Sequence, residues 1–337
     1  MSFLETMQMR LLAARGLNAS HLMGLTPGDV HIDRALTNLL VAYENREYVA
    51  DKAMPVVQVQ SRSDRIFSIP VATMQQIASS ELASNRGKPG EASFSITSGN
   101  YSVRDFALMD FVSNATIANA DAPLQPKMMT SRVLKNYLSL GREVRVAAKV
   151  FSNSNYASNH SALAGGARWD TDTSDPVADI LAAIESCFVR PNVMVLGAQV
   201  YNALRVNPKV AQYILNRAAT TAGPSELTVN TGLLAQMFDL DEVIVGRAKY
   251  NSAAEGQAVV GAYVWGKSCA LIRREDPSAA GAAPFGYTFR VGGWITQDIP
   301  DLISGISGGS IIKVAHSDDE NVIGGGNSGY LYETVIS

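Results

Sequence analysis

The longest regular pattern of hydrophobic positions lies between residues 127 and 151. Apolar side chains recur there at alternating spacings of four and three, which places them on one face of a helix roughly 37 Å long. The charged residues between them, among them Arg142, Glu143 and Arg145, are predicted to cover the remaining surface. The apolar positions predicted to pack along this helix are Val133, Tyr137, Leu140, Val144 and Phe151.

The pattern before this helix is typical of short strands. Residues 55–70, PVVQVQSRSDRIFSIP, form two strand-like runs around a polar turn and open a strand-rich excursion that returns near residue 112. Its tip, at 79–91, is small, polar and charged. Because two strands without a packed face are marginally stable in water, this hairpin is predicted to lie against other structure. Two helices, near 4–15 and 33–47, are predicted before it.

After residue 168 the chain alternates between helix and strand signals. Asp175 and Pro176 form a predicted N-cap and first turn for a helix that continues to about residue 188. A buried strand at 193–196 and a helix or helix pair at 198–217 follow. Residues 258–273 are predicted to form a hairpin or a pair of strands, and the pattern from 285 onward is strand-rich. The predicted fold class is α+β.

Composition narrows the possible functions. The 337 residues are 47% hydrophobic and only 18% charged, with a net charge of −3, which argues against a basic groove for nucleic acid. No apolar run approaches the length of a membrane span, and no secretory signal begins the chain. Cys187 and Cys269 are far apart in sequence, which favours buried, reduced thiols over a metal site.

Two glycine motifs invite a catalytic or nucleotide-binding interpretation. The stretch 305–309, GISGG, matches the elbow that carries a nucleophilic serine, but a strand pattern follows Ser307 where the elbow requires a helix. The stretch 324–329, GGGNSG, matches a dinucleotide fingerprint, but too few residues follow for its helix. We interpret 324–329 as a hairpin turn before a last strand, and we predict that the protein is not an enzyme.

The acidic run 170–175, DTDTSD, resembles the start of a calcium loop. Asp175 stands where that loop needs glycine, and Leu181 where it needs glutamate, so helix capping is the better interpretation. The histidines show no metal or triad spacing, and we interpret each as a surface or loop residue; they are His21, His31, His160 and His316. No metal and no cofactor are predicted.

Several short stretches, in order, resemble the major capsid proteins of tailed bacteriophages, which have the Hong Kong-ninety-seven-type capsid fold. The resemblance runs from about Tyr48 to the C-terminus, and its order and spacing over some 280 residues carry it more than any single motif. The stretches are YVADKAMPVV from Tyr48, REVRVA from Arg142, PNVMVLG from Pro191, VGRAKYN from Val245, VWGK from Val264, FGYTF from Phe285 and GYL from Gly329.

The resemblance implies an N-terminal arm, an extended β-hairpin loop (E-loop), a long spine helix, and peripheral (P) and axial (A) domains. It places the arm at 1–50, the extended loop and its base at 51–112, and the peripheral domain with the spine helix at 113–168. The axial domain is then 169–280, and 281–337 supplies peripheral-domain strands and the C-terminus. Contacts between subunits are expected from the extended loop, at Arg62, Asp64, Arg65, Arg86, Lys88 and Glu91.

The implied function is that of the major capsid (head) protein, which self-assembles as hexamers and pentamers into an icosahedral shell around double-stranded DNA. The expected location is the virion capsid, assembled in the cytoplasm of the bacterial host. Expected partners are other copies of the chain, a separate scaffolding protein, a portal, possible decoration proteins, and DNA packaged without sequence recognition; no membrane is expected. The alternatives are an encapsulin-like nanocompartment shell that holds cargo enzymes, or a hydrolase that uses Ser307.

Overall fold

The computed structural model describes residues 47–68, 96–120, 125–218, 229–254, 256–277 and 283–337. The predicted loop tip at 79–91 and the predicted arm helices before residue 47 lie outside these ranges. The chain forms two compact units. Among the described residues, the first unit holds 107–120, 125–135 and 294–315, and the second holds the others.

The α-helices follow the sequence pattern closely where strong caps or prolines mark their ends. They are α1 (Ala50–Ala53), α2 (Asn114–Asn119), α3 (Pro126–Val150), α4 (Pro176–Ser186), α5 (Ala198–Val206), α6 (Pro208–Ala218) and α7 (Thr231–Phe238). The side chain of Asp175 accepts a hydrogen bond from the backbone N–H of Ala178 and so caps α4. The predicted helix pair is present, since Pro208 begins a new helix immediately after α5.

The strands fall into several sheets. They are β1 (Val56–Val59), β2 (Ser63–Ser68), β3 (Thr97–Ser102), β4 (Arg104–Ser113), β5 (His160–Ala162), β6 (Val193–Gly197), β7 (Glu242–Gly246), β8 (Lys249–Asn251), β9 (Gly261–Tyr263), β10 (Cys269–Ile272), β11 (Gly286–Val291), β12 (Ile295–Asp301), β13 (Gly309–Val322) and β14 (Gly329–Glu333).

A five-stranded sheet in the order β5–β14–β10–β6–β7 forms the centre of the second unit. Every residue of β6 is buried, because the sheet is covered on both faces. Met194 and Leu196 pack in a core with α4, α5, α6 and α7. Val193 and Val195 point the other way, into a second core that includes α1 and the C-terminal part of α3. This alternation is the period of two expected of a strand.

The two strand-like runs of residues 55–70 do not pair with each other. β1 lies parallel to β11, with Val57 opposite Phe289, whereas β2 pairs antiparallel with β3. The predicted hairpin is therefore wrong in its pairing, although both strands exist. Each run finds a partner at least 29 residues away, because the turn between them leads from the core sheet into a separate two-stranded ladder.

The segment 258–273 is a pair of strands and not a hairpin. β9 pairs with β8, while β10 pairs with β6 and β14 in the central sheet. Trp265 lies between them, fully buried, and its ring occupies the space beside Gly246. A Cβ on Gly246 would come within 2.1 Å of that ring, so only glycine fits at this position.

In the first unit, β12 pairs antiparallel with residues 309–315 of β13. The hairpin tip that joins them is fixed to the start of α2, where the backbone N–H of Asn114 donates to the carbonyl of Gly308 at 3.0 Å. On α3, Lys127 Nζ contacts Asp298 Oδ2 at 2.7 Å. Neither unit coincides with one of the predicted domains, whose boundaries remain predictions.

Candidate subunit interface

The base of the predicted extended loop is tied to its own chain. Arg62 forms an ion pair with Asp105, which also accepts a hydrogen bond from Ser317 Oγ at 2.6 Å. Tyr101 stacks on Phe289, with ring centroids 4.8 Å apart. These contacts connect β2, β3 and β4 with β11 and β13 inside the second unit. Arg62 is therefore already engaged within the subunit.

The other predicted loop contacts are exposed or lie beyond the described residues. Asp64 and Arg65 are exposed, and the Asp64 carboxylate accepts a hydrogen bond from the backbone N–H of Arg65. Arg86, Lys88 and Glu91 lie outside the described residues. Contacts of all these side chains with other subunits stay a prediction.

The apolar stripe predicted to pack along α3 is largely exposed in the subunit. Val133, Tyr137 and Val144 expose 46%, 58% and 42% of their surface. Leu140 is half-buried, and Phe151 lies edge-on against Trp265 at 5.5 Å. For Val133, Tyr137 and Val144 the packing prediction is wrong within the subunit, whereas Phe151 packs against the second core. The buried apolar residues of α3 are Leu134, Leu138, Val146, Ala147 and Val150.

The buried face of α3 carries both apolar and charged residues, which explains why the sequence pattern pointed to the exposed face. The buried side of α3 also carries Arg142 and Glu143, which the sequence pattern assigned to the exposed surface. Charged residues on the buried face weaken its apolar periodicity, so that the exposed stripe gave the clearer signal. The exposed stripe is a candidate contact for another molecule, because large apolar side chains at helical spacing on a surface are typical of interfaces.

Glu143 holds the segment before β1 against α3. Its two carboxylate oxygens accept hydrogen bonds from the backbone N–H groups of Val49 and Ala50, at 2.8 and 3.0 Å, and from Trp265 Nε1 at 2.6 Å. The carboxylate thus joins the start of α1 to the tryptophan beside the central sheet. Burial raises the pKa of Glu143, and these three donors offset part of that effect by stabilising the charged form.

A buried cluster of charges lies where α3 faces β11 and β13. Arg290 forms two hydrogen bonds of 2.7 Å with the carboxylate of Asp318, and Arg142 Nε lies 3.2 Å from the same carboxylate. Arg142 also pairs with Asp51 of α1. Burial disfavours the charged carboxylate, but hydrogen bonds from Arg290 and the charges of both arginines outweigh it and lower the pKa of Asp318.

The charged cluster extends through Arg145 to the base of the predicted extended loop. Arg145 bonds Glu320 at 3.1 Å, and its guanidinium lies 3.7 Å above the ring of Phe106 on β4. His316 stacks on the same ring at 5.4 Å and lies 3.6 Å from Asp318. The interpretation of His316 as a surface or loop residue is wrong, since its side chain is completely buried on β13.

Protonation of His316 is expected to destabilise the subunit below pH 6.5. Burial lowers its pKa to about 4, and Arg290, Arg145 and Arg142 add to this effect, while Asp318 opposes it. A folded-state pKa below the unfolded one means that stability is present above pH 6.5 and is lost as the pH falls through 4. We expect a loss of about 2–3 kcal/mol between pH 7 and pH 4, measured by urea unfolding.

A His316→Gln variant should lack this part of the pH dependence. His160→Gln, measured beside it, reports separately what the other histidine of the described residues contributes to the profile, since His160 lies 3.3 Å from Glu333. Protonation of Asp318 also reduces the stability of the subunit, but it does so below the unfolded pKa of 3.8, because the folded-state pKa of Asp318 is lower still. An unchanged slope between pH 6.5 and 4 in His316→Gln would contradict this account.

The motifs weighed for other chemistry have structural roles here. Ser307 lies in the hairpin between β12 and β13, and a strand follows it, so the nucleophile elbow is not built. The glycines at 324–329 form a turn before β14, as predicted, but β13 and β14 belong to different sheets and do not form a hairpin. Asp175 caps a helix, and Asp170 accepts a hydrogen bond from the backbone N–H of Ser337.

The described ranges contain no group of three or more His, Cys, Asp or Glu side chains placed to hold a metal ion. No helix among them is long and apolar enough to span a bilayer. Cys187 and Cys269 are free and buried, as the sequence predicts.

Comparison with known proteins finds sequence similarity to phage capsid proteins. A family model described as phage major capsid protein E matches residues 140–262. The major capsid protein of Pseudomonas phage JBD67 is 28% identical over 308 residues, which cover 91% of this chain and 97% of that protein.

Solved structures show the same fold at lower identity. A phage-related protein from Bordetella bronchiseptica RB50 superposes with a TM-score of 0.65 and 21% identity, covering 91% of this chain and 98% of that one. The capsid structure of cyanophage P-SCSP1u gives a TM-score of 0.56 and 12% identity, covering 83% and 86%. The predicted α+β capsid fold is confirmed by these superpositions.

Proposed function

We propose, from the premise that this chain belongs to the major capsid proteins of tailed phages, that its copies form the icosahedral head shell as hexamers and pentamers. The observation that carries this proposal is the match to a phage major capsid protein over nearly the whole chain. The capsid fold and the large apolar side chains left exposed on the subunit support it.

Self-association explains the exposed stripe of α3. Tyr137 and Val144 lie seven residues apart, two turns of the helix, and therefore on one face. In a shell this face is covered by another copy, which removes its apolar surface from water. The extended loop is the element we assign to reach a neighbouring copy, through Arg65, Arg86 and Lys88 among its charged residues.

The shell encloses double-stranded DNA without binding a particular sequence. A net charge of −3 does not favour tight contact with phosphates, because such contact needs clustered lysine and arginine. The inner surface of the shell then encloses the DNA without binding its phosphates tightly. Assembly in the host cytoplasm with a separate scaffolding protein and a portal completes the proposal, and no catalytic step is assigned to the chain.

Introducing charge on the exposed stripe is expected to block assembly without unfolding the subunit. Tyr137→Glu combined with Val144→Glu places two carboxylates where apolar contact is needed, and desolvating them is costly. We expect at least a tenfold smaller assembled fraction in sedimentation velocity, with an unchanged circular dichroism spectrum. The matched control is Val206→Glu, which changes an exposed aliphatic residue on α5.

Normal assembly of the Tyr137→Glu, Val144→Glu variant would contradict the role of this stripe. A parent chain that sediments only as a small species would contradict the proposed function itself. The encapsulin alternative predicts particles that co-purify with enzyme cargo and no DNA, whereas the head-shell proposal predicts association with portal or packaged DNA when the chain is purified from infected cells.

A further inference from the structure

A cavity of about 450 Å³ lies in the second unit, beside the base of the predicted extended loop. Its walls come from β4, from β13, and from the last turns of α3 with the residues that follow them. This volume is within the range of about 300–1,000 Å³ that is usual for small-molecule sites. The cationic side chains in its lining are Arg104, Arg145 and Lys149.

The fold directs these three cations toward the same space. Arg145 and Lys149 are four residues apart on α3 and therefore lie on one face of the helix, one turn apart. Arg104 and Phe106 are two residues apart on β4 and point to the same side of that strand. The guanidinium of Arg145 lies 3.7 Å above the Phe106 ring, so this side of β4 faces α3. Arg104 thus extends from β4 toward the helix face that carries the other two cations.

The acidic side chains of the lining are already engaged within the subunit. Glu320 accepts a hydrogen bond from Arg145 Nε at 3.1 Å. Asp318 accepts two hydrogen bonds of 2.7 Å inside the buried charge cluster. Asp319 accepts a hydrogen bond from the backbone N–H of Ser102 at 2.9 Å. All three carboxylates of β13 therefore have partners before any ligand binds.

Two of the cations have no such partner. In the ranges that the structure describes, the side chains of Arg104 and Lys149 form no ion pair and no hydrogen bond. Like charges that line one cavity repel each other, and an anion placed between them replaces this repulsion by attraction. The cavity therefore favours a negatively charged ligand.

The C-terminal end of α3 opposes an anion less than a bare helix end would. The partial negative charge of such an end resides on its unpaired carbonyl groups. Here Asn155 Nδ2 donates to the carbonyl of Lys149 at 2.8 Å, and Tyr156 Oη donates to the carbonyl of Val150 at 2.6 Å. These hydrogen bonds occupy carbonyl oxygens that would otherwise repel an anion.

Two hydroxyl groups add hydrogen-bonding capacity to the lining. Ser152 Oγ and Ser154 Oγ lie 2.8 Å apart, and both residues line the cavity. Only one of the two hydroxyls can donate to the other, so the second O–H is left to donate elsewhere. An oxygen-rich anion supplies an acceptor for it.

We propose that this cavity binds a small molecule that carries a diphosphate group. Phosphate fits the cations, because a guanidinium forms paired hydrogen bonds with its oxygens and a lysine ammonium is a common phosphate partner. Two linked phosphates match cations that come from two elements, β4 and α3. Duplex DNA is not the ligand, since two unpaired cations are too few for tight binding along its backbone. The site goes beyond the proposed function, because it belongs to the single subunit.

Calorimetric titration of the unassembled subunit with inorganic pyrophosphate tests the proposal. Arg104→Gln combined with Lys149→Gln removes both unpaired cations and should weaken binding at least tenfold. The matched control is Arg205→Gln combined with Lys209→Gln, which removes two exposed cations at the end of α5 and the start of α6 and should bind like the parent. No binding by the parent, or equal weakening in both double variants, overturns the proposal.

Chemical labelling locates the site in the parent chain without any substitution. Saturating pyrophosphate should slow acetylation of Lys149 at least fivefold, as followed by peptide mass spectrometry, and should leave the exposed Lys209 unaffected. Sulfate at equal ionic strength and a short DNA duplex at equal phosphate concentration should protect neither lysine. Protection of Lys149 by the duplex but not by pyrophosphate, or equal protection of both lysines, overturns the proposal.

Discussion

Replacing Glu143 with alanine is expected to lower the free energy of unfolding of the unassembled subunit by about 3–5 kcal/mol. The substitution leaves three buried donors without their acceptor, namely the backbone N–H groups of Val49 and Ala50 and the indole N–H of Trp265. Each such donor costs about 1–3 kcal/mol when no water replaces the lost partner. Urea unfolding followed by tryptophan fluorescence measures the loss directly.

Two variants separate this role from a general effect of removing a carboxylate. Glu143→Gln keeps an acceptor oxygen and should lose less stability than the alanine variant. Glu185→Ala removes an exposed glutamate from α4 and should change the free energy of unfolding by less than about 0.5 kcal/mol. Equal stability of Glu143→Ala and Glu185→Ala would show that the carboxylate does not hold the segment before β1.

The second large effect is expected at Asp318. Asp318→Ala leaves Arg290 and Arg142 as buried cations without their shared carboxylate, and breaking a buried ion pair in this way costs about 3–5 kcal/mol. The double variant Arg290→Met, Asp318→Leu should be less destabilised than Asp318→Ala, because it removes both charges of the closest pair. Guanidinium unfolding of the parent, Arg290→Met, Asp318→Leu and the double variant gives the coupling energy of the pair.

An exposed aspartate of the acidic run 170–175, Asp172, provides the control for Asp318→Ala. Asp172→Ala should leave stability nearly unchanged. A free energy of unfolding for Asp318→Ala within about 0.5 kcal/mol of that control would mean that water reaches the arginines, and that the cluster does not fix β11 and β13 against α3.

The sequence was most informative where one local rule determined the structure. The spacing of apolar residues predicts α3 almost to its ends, and Asp175 with Pro176 predicts the start of α4, because caps and periodicity act within a few residues. The continuous apolar run of β6 predicts a strand buried on both faces. The resemblance to phage capsid proteins rests on many such local segments in the right order.

The predictions that the structure contradicts concern residues whose partners are distant in sequence. Nothing within 55–70 reveals that β1 pairs with β11 and β2 with β3, since the register depends on residues up to 232 positions away. Which stripe of α3 faces the core also depends on what surrounds the helix. The stripe that the pattern favoured, with Tyr137 and Val144, is the one left exposed on the subunit.

The sequence pattern does not predict the burial of Arg142 and Glu143, for a related reason. Arg142 and Glu143 were assigned to the surface by residue type, which holds for most charged residues but not for paired ones. One signal was present: His316, Asp318 and Glu320 alternate along β13 and therefore lie on one face of that strand. Three polar residues in this arrangement, opposite an arginine on a neighbouring strand, indicate an internal cluster.

The central claim is that copies of this chain close into a shell. Electron microscopy of the purified parent chain tests it most directly, with the chain incubated at high concentration, alone and with a co-expressed scaffolding protein. We expect uniform angular shells, in whose density the Tyr137–Val144 face of α3 is covered by neighbouring copies. Only small, separate subunits under every condition would contradict the account.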